Sequence, residues 1–173
     1  MPVSAQLNID LHLSQAGANA FSAGPFWNGA MSLSQAFSDG TVANKIDRVY
    51  MAERTVLTAA NDDIDLAGVL LDVFGAAITA VELVGIFIIN RRKDGTANTT
   101  NLTLGAGTNP VVGYLGGTTP TVGPIRPGGC LLLMNPDASG LATITAATAD
   151  ILRIANSAGA SNTYQIALLM RSA

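Results

Sequence analysis

The chain has 173 residues, of which 49% are hydrophobic and 12% charged, with a net charge of −3. This length suits one domain with its own core, and the acidic balance argues against a protein that binds nucleic-acid phosphates, which needs clustered Lys and Arg. The charged share is about half that of an ordinary soluble protein. Such a surface favours packing against other protein.

The first 47 residues predict a strand followed by an irregular arm. Apolar and polar residues alternate from Leu7 to Leu13, which is typical of a strand with one wet face. Residues 15–29 are rich in Gly, Ala, Ser and Asn and predict an extended arm or loop, and residues 30–37 a second short strand. The arm could dock on a neighbouring subunit or pack on its own domain. Three aromatic residues are its candidate contact points: Phe21, Phe26 and Trp27.

Residues 48–173 predict a domain of short strands separated by turns. We expect residues 61–65 to form a turn and residues 66–74 a helical turn or a strand. The number and spacing of the strands predict an all-β fold, an antiparallel two-sheet β-sandwich of jelly-roll type with an N-terminal extended arm. The strands are expected at residues 48–57, 80–89, 101–104, 111–115, 121–125, 130–134, 151–155 and 164–170.

Residue types that perform catalysis are scarce in this chain. His12 is the only histidine, and Cys130 is the only cysteine and lies in an apolar run, so we expect it to be buried. The sequence has no nucleophile elbow and no His and Cys cluster for zinc. Asn61–Asp65 lacks the glycine and the glutamate of an EF-hand loop. We therefore predict no enzyme activity, no metal and no cofactor.

One basic cluster follows the most apolar predicted strand. It consists of Arg91, Arg92 and Lys93 and precedes an Asp-Gly pair that is typical of a hairpin turn. The cluster is compatible with a solvated turn or with a contact at the rim of an acidic protein surface.

The sequence favours neither a membrane nor a nucleic acid as partner. Residues 69–90 are apolar, but Asp72, Glu82 and two glycines interrupt them, so we expect no membrane-spanning helix. The first residues lack the basic start and apolar stretch of a secretion signal.

Several turn-and-strand segments resemble small structural proteins of tailed bacteriophages. The likeness covers roughly residues 48–173 and does not extend to residues 1–47. It implies a non-enzymatic virion component with a β-sandwich fold, most similar to the capsid decoration (cement) proteins. The segments are residues 65–79, 84–90, 125–133, 136–140, 150–157 and 164–170.

The resemblance also implies partners and a location. Decoration proteins usually form trimers where major capsid subunits meet, so we expect a homotrimer on the outer surface of the virion capsid, made in the host cytoplasm. On this hypothesis the three arm aromatics anchor the arm, and Arg91, Arg92 and Lys93 contact the acidic capsid. Two alternatives stay open. One is a neck, tail or fibre-base component, and the other is a carbohydrate-binding β-sandwich or glycosidase.

Overall fold

The computed structural model of the protein describes residues 2–18 and 23–173. These residues form twelve β-strands and no helix, and therefore no helix long and apolar enough to cross a membrane. The predicted all-β class is confirmed. In chain order the strands are β1 (Ala5–Ala18), β2 (Ala23–Asp39), β3 (Lys45–Ile46), β4 (Arg48–Val56), β5 (Asn61–Asp65), β6 (Glu82–Ile89), β7 (Leu102–Gly105), β8 (Thr121–Ile125), β9 (Cys130–Met134), β10 (Ala142–Thr143), β11 (Ile151–Asn156) and β12 (Asn162–Arg171).

Two antiparallel sheets contain β4 to β12. The five-stranded sheet has the order β10-β6-β12-β4, and β9 also pairs with β6; the four-stranded sheet has the order β5-β11-β7-β8. Strand β9 pairs with residues 85–89 and β10 with residues 82–83, so both lie along the same edge of β6. Because β6 is paired on both sides, its continuous run of apolar residues fits an interior strand, as the sequence predicts.

The main hydrophobic core takes side chains from both sheets. Burial alternates along β11 and β12, as it does in strands that have one face on a core. Each fully buried aliphatic side chain contributes about 1.5–3 kcal/mol of transfer free energy. The most deeply buried aliphatic side chains of this core include Ile86 and Ile88 of β6, Leu168 and Met170 of β12, Leu102 and Leu104 of β7, and Ile154 of β11.

A second buried cluster lies on the other face of the five-stranded sheet. The pairing of β6 with β12 shifts register between Leu169 and Met170, and this irregularity lets Leu83 join the main core while Val84 joins the second cluster. Phe37 of β2 and Ile46 of β3 are buried there against Val84. The N-terminal strands are thus attached to the outer face of this sheet.

A buried amide network joins the two sheets at one end. Asn90 Nδ2 donates to the carbonyls of Thr100 and Ile125 at 2.9 and 2.8 Å. Its Oδ1 accepts from Asn98 and from Asn162, both at 2.9 Å. All three asparagines are buried. Buried polar groups stabilise a fold only when they are hydrogen-bonded, and here one side chain satisfies four partners.

A buried guanidinium fixes the C-terminal strand. Arg171 is fully buried, and it donates to the Glu82 carboxylate at 2.7 Å. It also donates to the carbonyls of Lys45 and of residues 136–138. One side chain therefore connects β12, β3, β6 and the loop after β9.

Three sequence expectations for local structure are wrong. Asn61–Asp65 is strand β5 rather than a turn, because Asp62 and Asp63 form ion pairs with Arg54 and Arg153, both at 2.6 Å. Residues 111–115 do not form a strand, and residues 66–74 form turns with an isolated bridge instead of a helical turn or strand. In both segments a few apolar residues, Leu66, Leu70 and Val111, are buried in the core, and most of the others lie in solvent without pairing along the segment.

Two tyrosines, of which Tyr164 is buried and Tyr114 partly buried, make the folded state sensitive to alkali. Burial raises the pKa of Tyr114 to about 12, and burial together with the negative charge of Asp62 raises the pKa of Tyr164. A raised tyrosine pKa means that the folded state keeps its proton when the unfolded chain loses it near pH ~10. The stabilisation is thus complete below pH ~10 and is lost as the pH rises toward the folded pKa.

We expect the free energy of unfolding to fall between pH ~10 and 12, measured by urea unfolding at a series of pH values. Tyr114→Phe and Tyr164→Phe should each make that decline shallower, because phenylalanine carries no titrating proton. An identical decline in wild type and both variants would assign the alkaline sensitivity to other groups.

Candidate protein-binding surfaces

The N-terminal strands form a long two-stranded ribbon. Strands β1 and β2 pair antiparallel, with an unbroken register from Ala5 opposite Phe37 to Ala16 opposite Phe26. At about 3.4 Å per residue, the fourteen residues of β1 span roughly 45 Å. Every residue of β1 from Asn8 to Ala18 is exposed. The ribbon therefore packs on the sheets at its base and projects away from them. The sequence predicts an extended arm or loop over residues 15–29. In the structure residues 15–18 and 23–29 lie in paired strands instead.

The ribbon has one apolar and one polar face. Directly opposed residues share a face, so Leu11 and Met31 are neighbours on one face and His12 and Ala30 on the other. Met31 is 71% exposed. A two-stranded ribbon is marginally stable in water by itself, and this one leaves its apolar side chains in solvent. The apolar face consists of Leu7, Ile9, Leu11, Leu13, Met31 and Leu33.

Two of the three aromatic residues proposed for the arm lie near the far end of the ribbon. Phe26 is 65% and Trp27 56% exposed, and they point to opposite faces because they are adjacent in a strand. The Trp27 indole lies over Gly29, where an added Cβ would be 2.3 Å from a ring carbon. Glycine at this position gives the indole room to lie along the apolar face. Phe21 lies outside the described residues.

The five-stranded sheet also presents an apolar outer face. Outward-pointing residues include Met51 of β4, which is 77% exposed, Phe87 of β6, Leu132 of β9 and Ala167 of β12. We call these four residues, together with Ile89, the outer apolar face. Single exposed apolar residues are ordinary, whereas a contiguous patch indicates a binding surface.

The expectation that Cys130 is buried is wrong. It is exposed, because β9 lies at a sheet edge and its even-numbered side chains point away from the core, whereas Leu131 and Leu133 pack on it. The apolar run of β9 suggested a strand buried on both faces. In the structure one face of that run is in solvent.

The segment between β5 and β6 adds apolar residues beside this face. Asp72 accepts hydrogen bonds from the backbone N–H groups of Phe74 and Ala76, both within 2.9 Å, and so closes a tight turn. Val73 and Phe74 are exposed at its tip. Val73 lines the same shallow depression as Met51 and Phe87. The apolar surface thus extends past β4.

The basic cluster lies at the polar end of the outer apolar face. Arg91, Arg92 and Lys93 are all exposed in the turn after β6. The backbone N–H of Lys93 donates to Glu53 of β4 at 2.7 Å, which holds the turn against the sheet. The proposed contact residues therefore form two groups: Phe26 and Trp27 in the ribbon, and Arg91, Arg92 and Lys93 in the turn after β6.

The titratable groups inside the protein are engaged in structural contacts. Arg54 donates two hydrogen bonds to Asp62 at 2.7 and 2.6 Å, and the Tyr164 hydroxyl donates to Asp62 at 2.7 Å. Burial would raise the pKa of Asp62, but these hydrogen bonds outweigh burial and lower it. In the described part of the chain, no three His, Cys, Asp or Glu side chains are grouped to hold a metal ion.

Sequence reasoning missed the outer apolar face and part of the ribbon. The alternation of Leu7 to Leu13 identified half of the ribbon's apolar face, but Met31 and Leu33 lie in a segment too poor in β-branched residues to stand out. The outer face had a signal in the continuous apolar runs of β6, β9 and β12, since a sheet that is wet on one side shows alternation.

Comparisons of this chain with protein-family models, with curated proteins and with solved structures found no match.

Proposed function

We propose that the two sheets form a jelly-roll sandwich and that the protein is a non-enzymatic virion component, a bacteriophage capsid decoration protein. The sheet orders β4-β12-β6-β9 and β5-β11-β7-β8 support the first part. With β10 set aside, eight antiparallel strands lie in two sheets that share one core, and every connection except the one from β7 to β8 crosses between the sheets, as in a jelly roll. This architecture recurs in viral capsid domains.

The observation that carries the functional proposal is the exposed ribbon. Its far half contacts solvent on both faces and presents Phe26 and Trp27 roughly 35 Å from its base. Aromatic side chains are enriched at protein interfaces because they bury a large area with few rotatable bonds. A projecting arm of this length, with exposed aromatic residues, suits attachment to a large protein surface.

Repetition over a lattice explains how shallow surfaces would hold the protein in place. A protein that binds only the assembled shell stabilises that shell by mass action. Three arms on one homotrimer raise the effective concentration of each further contact, so modest individual contacts give tight retention. The exposed cations Arg91, Arg92 and Lys93 would add long-range attraction to an acidic capsid surface.

The proposal predicts that the ribbon tip is required for capsid binding. We expect the double variant Phe26→Ala/Trp27→Ala to lose binding to expanded capsids emptied of DNA and stripped of this protein, measured by co-sedimentation. Truncation of two aromatic anchors at an interface weakens binding by about 2 kcal/mol or more each, a factor of ~30.

Two controls make this test specific. Leu115→Ala changes an exposed apolar residue of the β7–β8 loop and should leave binding unchanged. Urea unfolding should give the same midpoint for the double variant and wild type, since both aromatics are exposed. Binding of the double variant at wild-type affinity would contradict the assignment of the tip. A few copies per particle in electron micrographs, instead of hundreds, would favour a neck or tail position.

A further inference from the structure

The ribbon and the outer apolar face form two uncovered apolar surfaces on one chain. We propose that they cover each other between copies, so that the apolar face of one copy's ribbon lies on the outer apolar face of a second copy. This inference rests on the proposed self-association but does not require the capsid as a partner.

The base of the ribbon already makes this contact within one chain. Ala5 and Phe37 are paired at the start of the ribbon, and both pack on Val84 and Leu169 of the five-stranded sheet. Leu7, the next residue on the same face, lines one depression with Phe87 and Leu132. The apolar face of the ribbon is therefore continuous with side chains that contact this sheet.

The ribbon's own sheet cannot accept the remaining apolar residues. The pairing of β1 with β2 has no irregularity from Ala5 to Ala16, so there is no hinge at the point where the ribbon leaves the sheet. To fold back over the sheet, this regular ribbon would have to bend sharply near Asn8. A second copy can approach without any such change.

Charge is absent from the apolar face of the ribbon and scarce on the outer apolar face of the sheet. In the projecting part of the ribbon, the acidic residue Asp10 and the histidine His12 lie on the polar face, opposite Ser32 and Ala30. On the sheet, Glu53 and Lys93 lie at one end of the depression around Met51. Contact between the apolar parts would remove no charged group from water, and such desolvation is the main cost that opposes association of polar surfaces.

The available area suffices for a stable assembly. Nine residue pairs, from Leu7 opposite Gln35 to Gln15 opposite Trp27, belong to the projecting part of the ribbon. They cover about 30 Å by 10 Å of ribbon, or about 300 Å² on each side of one contact. Two reciprocal contacts then bury about 1,200 Å², the lower end of the range for specific interfaces. A closed ring of three copies buries only about 600 Å² at each interface, but it holds every copy through two contacts and buries about 1,800 Å² in the whole ring.

The test is the mass of the protein in solution, measured by sedimentation equilibrium without capsids. We expect wild type to show a multiple of its 17.7 kDa chain mass. Met31→Lys on the ribbon and Met51→Glu on the sheet should each weaken association by about 30-fold, as expected for a central interface residue. Both residues are exposed in the single chain, so neither change disturbs the core.

Two matched controls locate the effect. Ala30→Lys places the same charge on the adjacent residue, which faces the other side of the ribbon, and should leave the mass unchanged. Leu115→Glu places an acid on an exposed apolar residue in the β7–β8 loop, which belongs to the other sheet, and should also have no effect.

The double variant Met31→Lys/Met51→Glu decides between arrangements. If ribbons lie on sheets, each contact in this variant brings a lysine near a glutamate, and association should recover in a dimer or a ring. If ribbons contact only ribbons, Met51→Glu alone has no effect and the double variant stays dissociated. The inference would be overturned if Met51→Glu alone had no effect, if the double variant stayed dissociated, or if the wild type were monomeric at micromolar concentration. A monomer that still binds capsids would leave the proposed function intact.

Discussion

Replacing Arg171 by methionine is expected to lower the free energy of unfolding by about 3–5 kcal/mol, the range for breaking a buried ion pair. The substitution removes the partner of Glu82 and the donors to four backbone carbonyls. Methionine fills much of the same volume, so the loss reports mainly on hydrogen bonds and charge. Urea unfolding followed by circular dichroism measures it.

A second substitution at this position keeps the test interpretable. Arg171→Lys retains the charge, but its compact ammonium group cannot reach all the carbonyls, so we expect an intermediate loss. Arg126→Met, at an exposed arginine, should change stability by less than about 0.5 kcal/mol. A loss below about 1 kcal/mol for Arg171→Met would show that the loop after β9 and strand β3 do not depend on this side chain.

The second large effect is expected at Asn90. Asn90→Ala should cost about 3 kcal/mol or more, because it leaves the amides of Asn98 and Asn162 and the carbonyls of Thr100 and Ile125 short of a buried partner. Each buried polar group left without a partner costs about 1–3 kcal/mol. The two sheets should separate more easily at this end, which increased hydrogen exchange in β7 and β12 would detect.

Asn61→Ala is the matched control, because Asn61 is an exposed strand residue. It should change the free energy of unfolding by less than about 0.5 kcal/mol. If both substitutions changed the free energy of unfolding equally little, water would be replacing the Asn90 side chain without loss of stability. That result would contradict the prediction that the amide network depends on Asn90.

The local sequence pattern was sufficient to predict the position of several strands that have apolar residues and flanking turn residues. Strands β8 and β9 begin and end where the sequence predicts, and β12 extends the prediction at both ends. Each combines apolar or β-branched residues with flanking Gly, Pro or Asn, which are strong local signals. The all-β class follows from such segments together.

Contacts between distant residues decided what local pattern could not. Asn61–Asp65 has the composition of a turn, yet ion pairs to Arg54 and Arg153 hold it as a strand. Cys130 looked buried because a run of apolar residues does not reveal which face is covered. The pairing of β2 with β1 likewise overrode the low strand propensity of its Gly, Ala and Asn residues.

The long ribbon has a consequence for the life of the unassembled protein. Across the described residues, β1 and β2 pair with each other and, at residues 38–39, with β3, so most of both outer edges offers unpaired N–H and C=O groups. Edges of this length are templates for uncontrolled strand pairing between chains, and natural proteins usually shield them. A free pool of this protein is therefore expected to stay soluble only while it is dilute or quickly consumed. Timing of synthesis relative to its partner then becomes as important for correct assembly as the affinity of the finished contact.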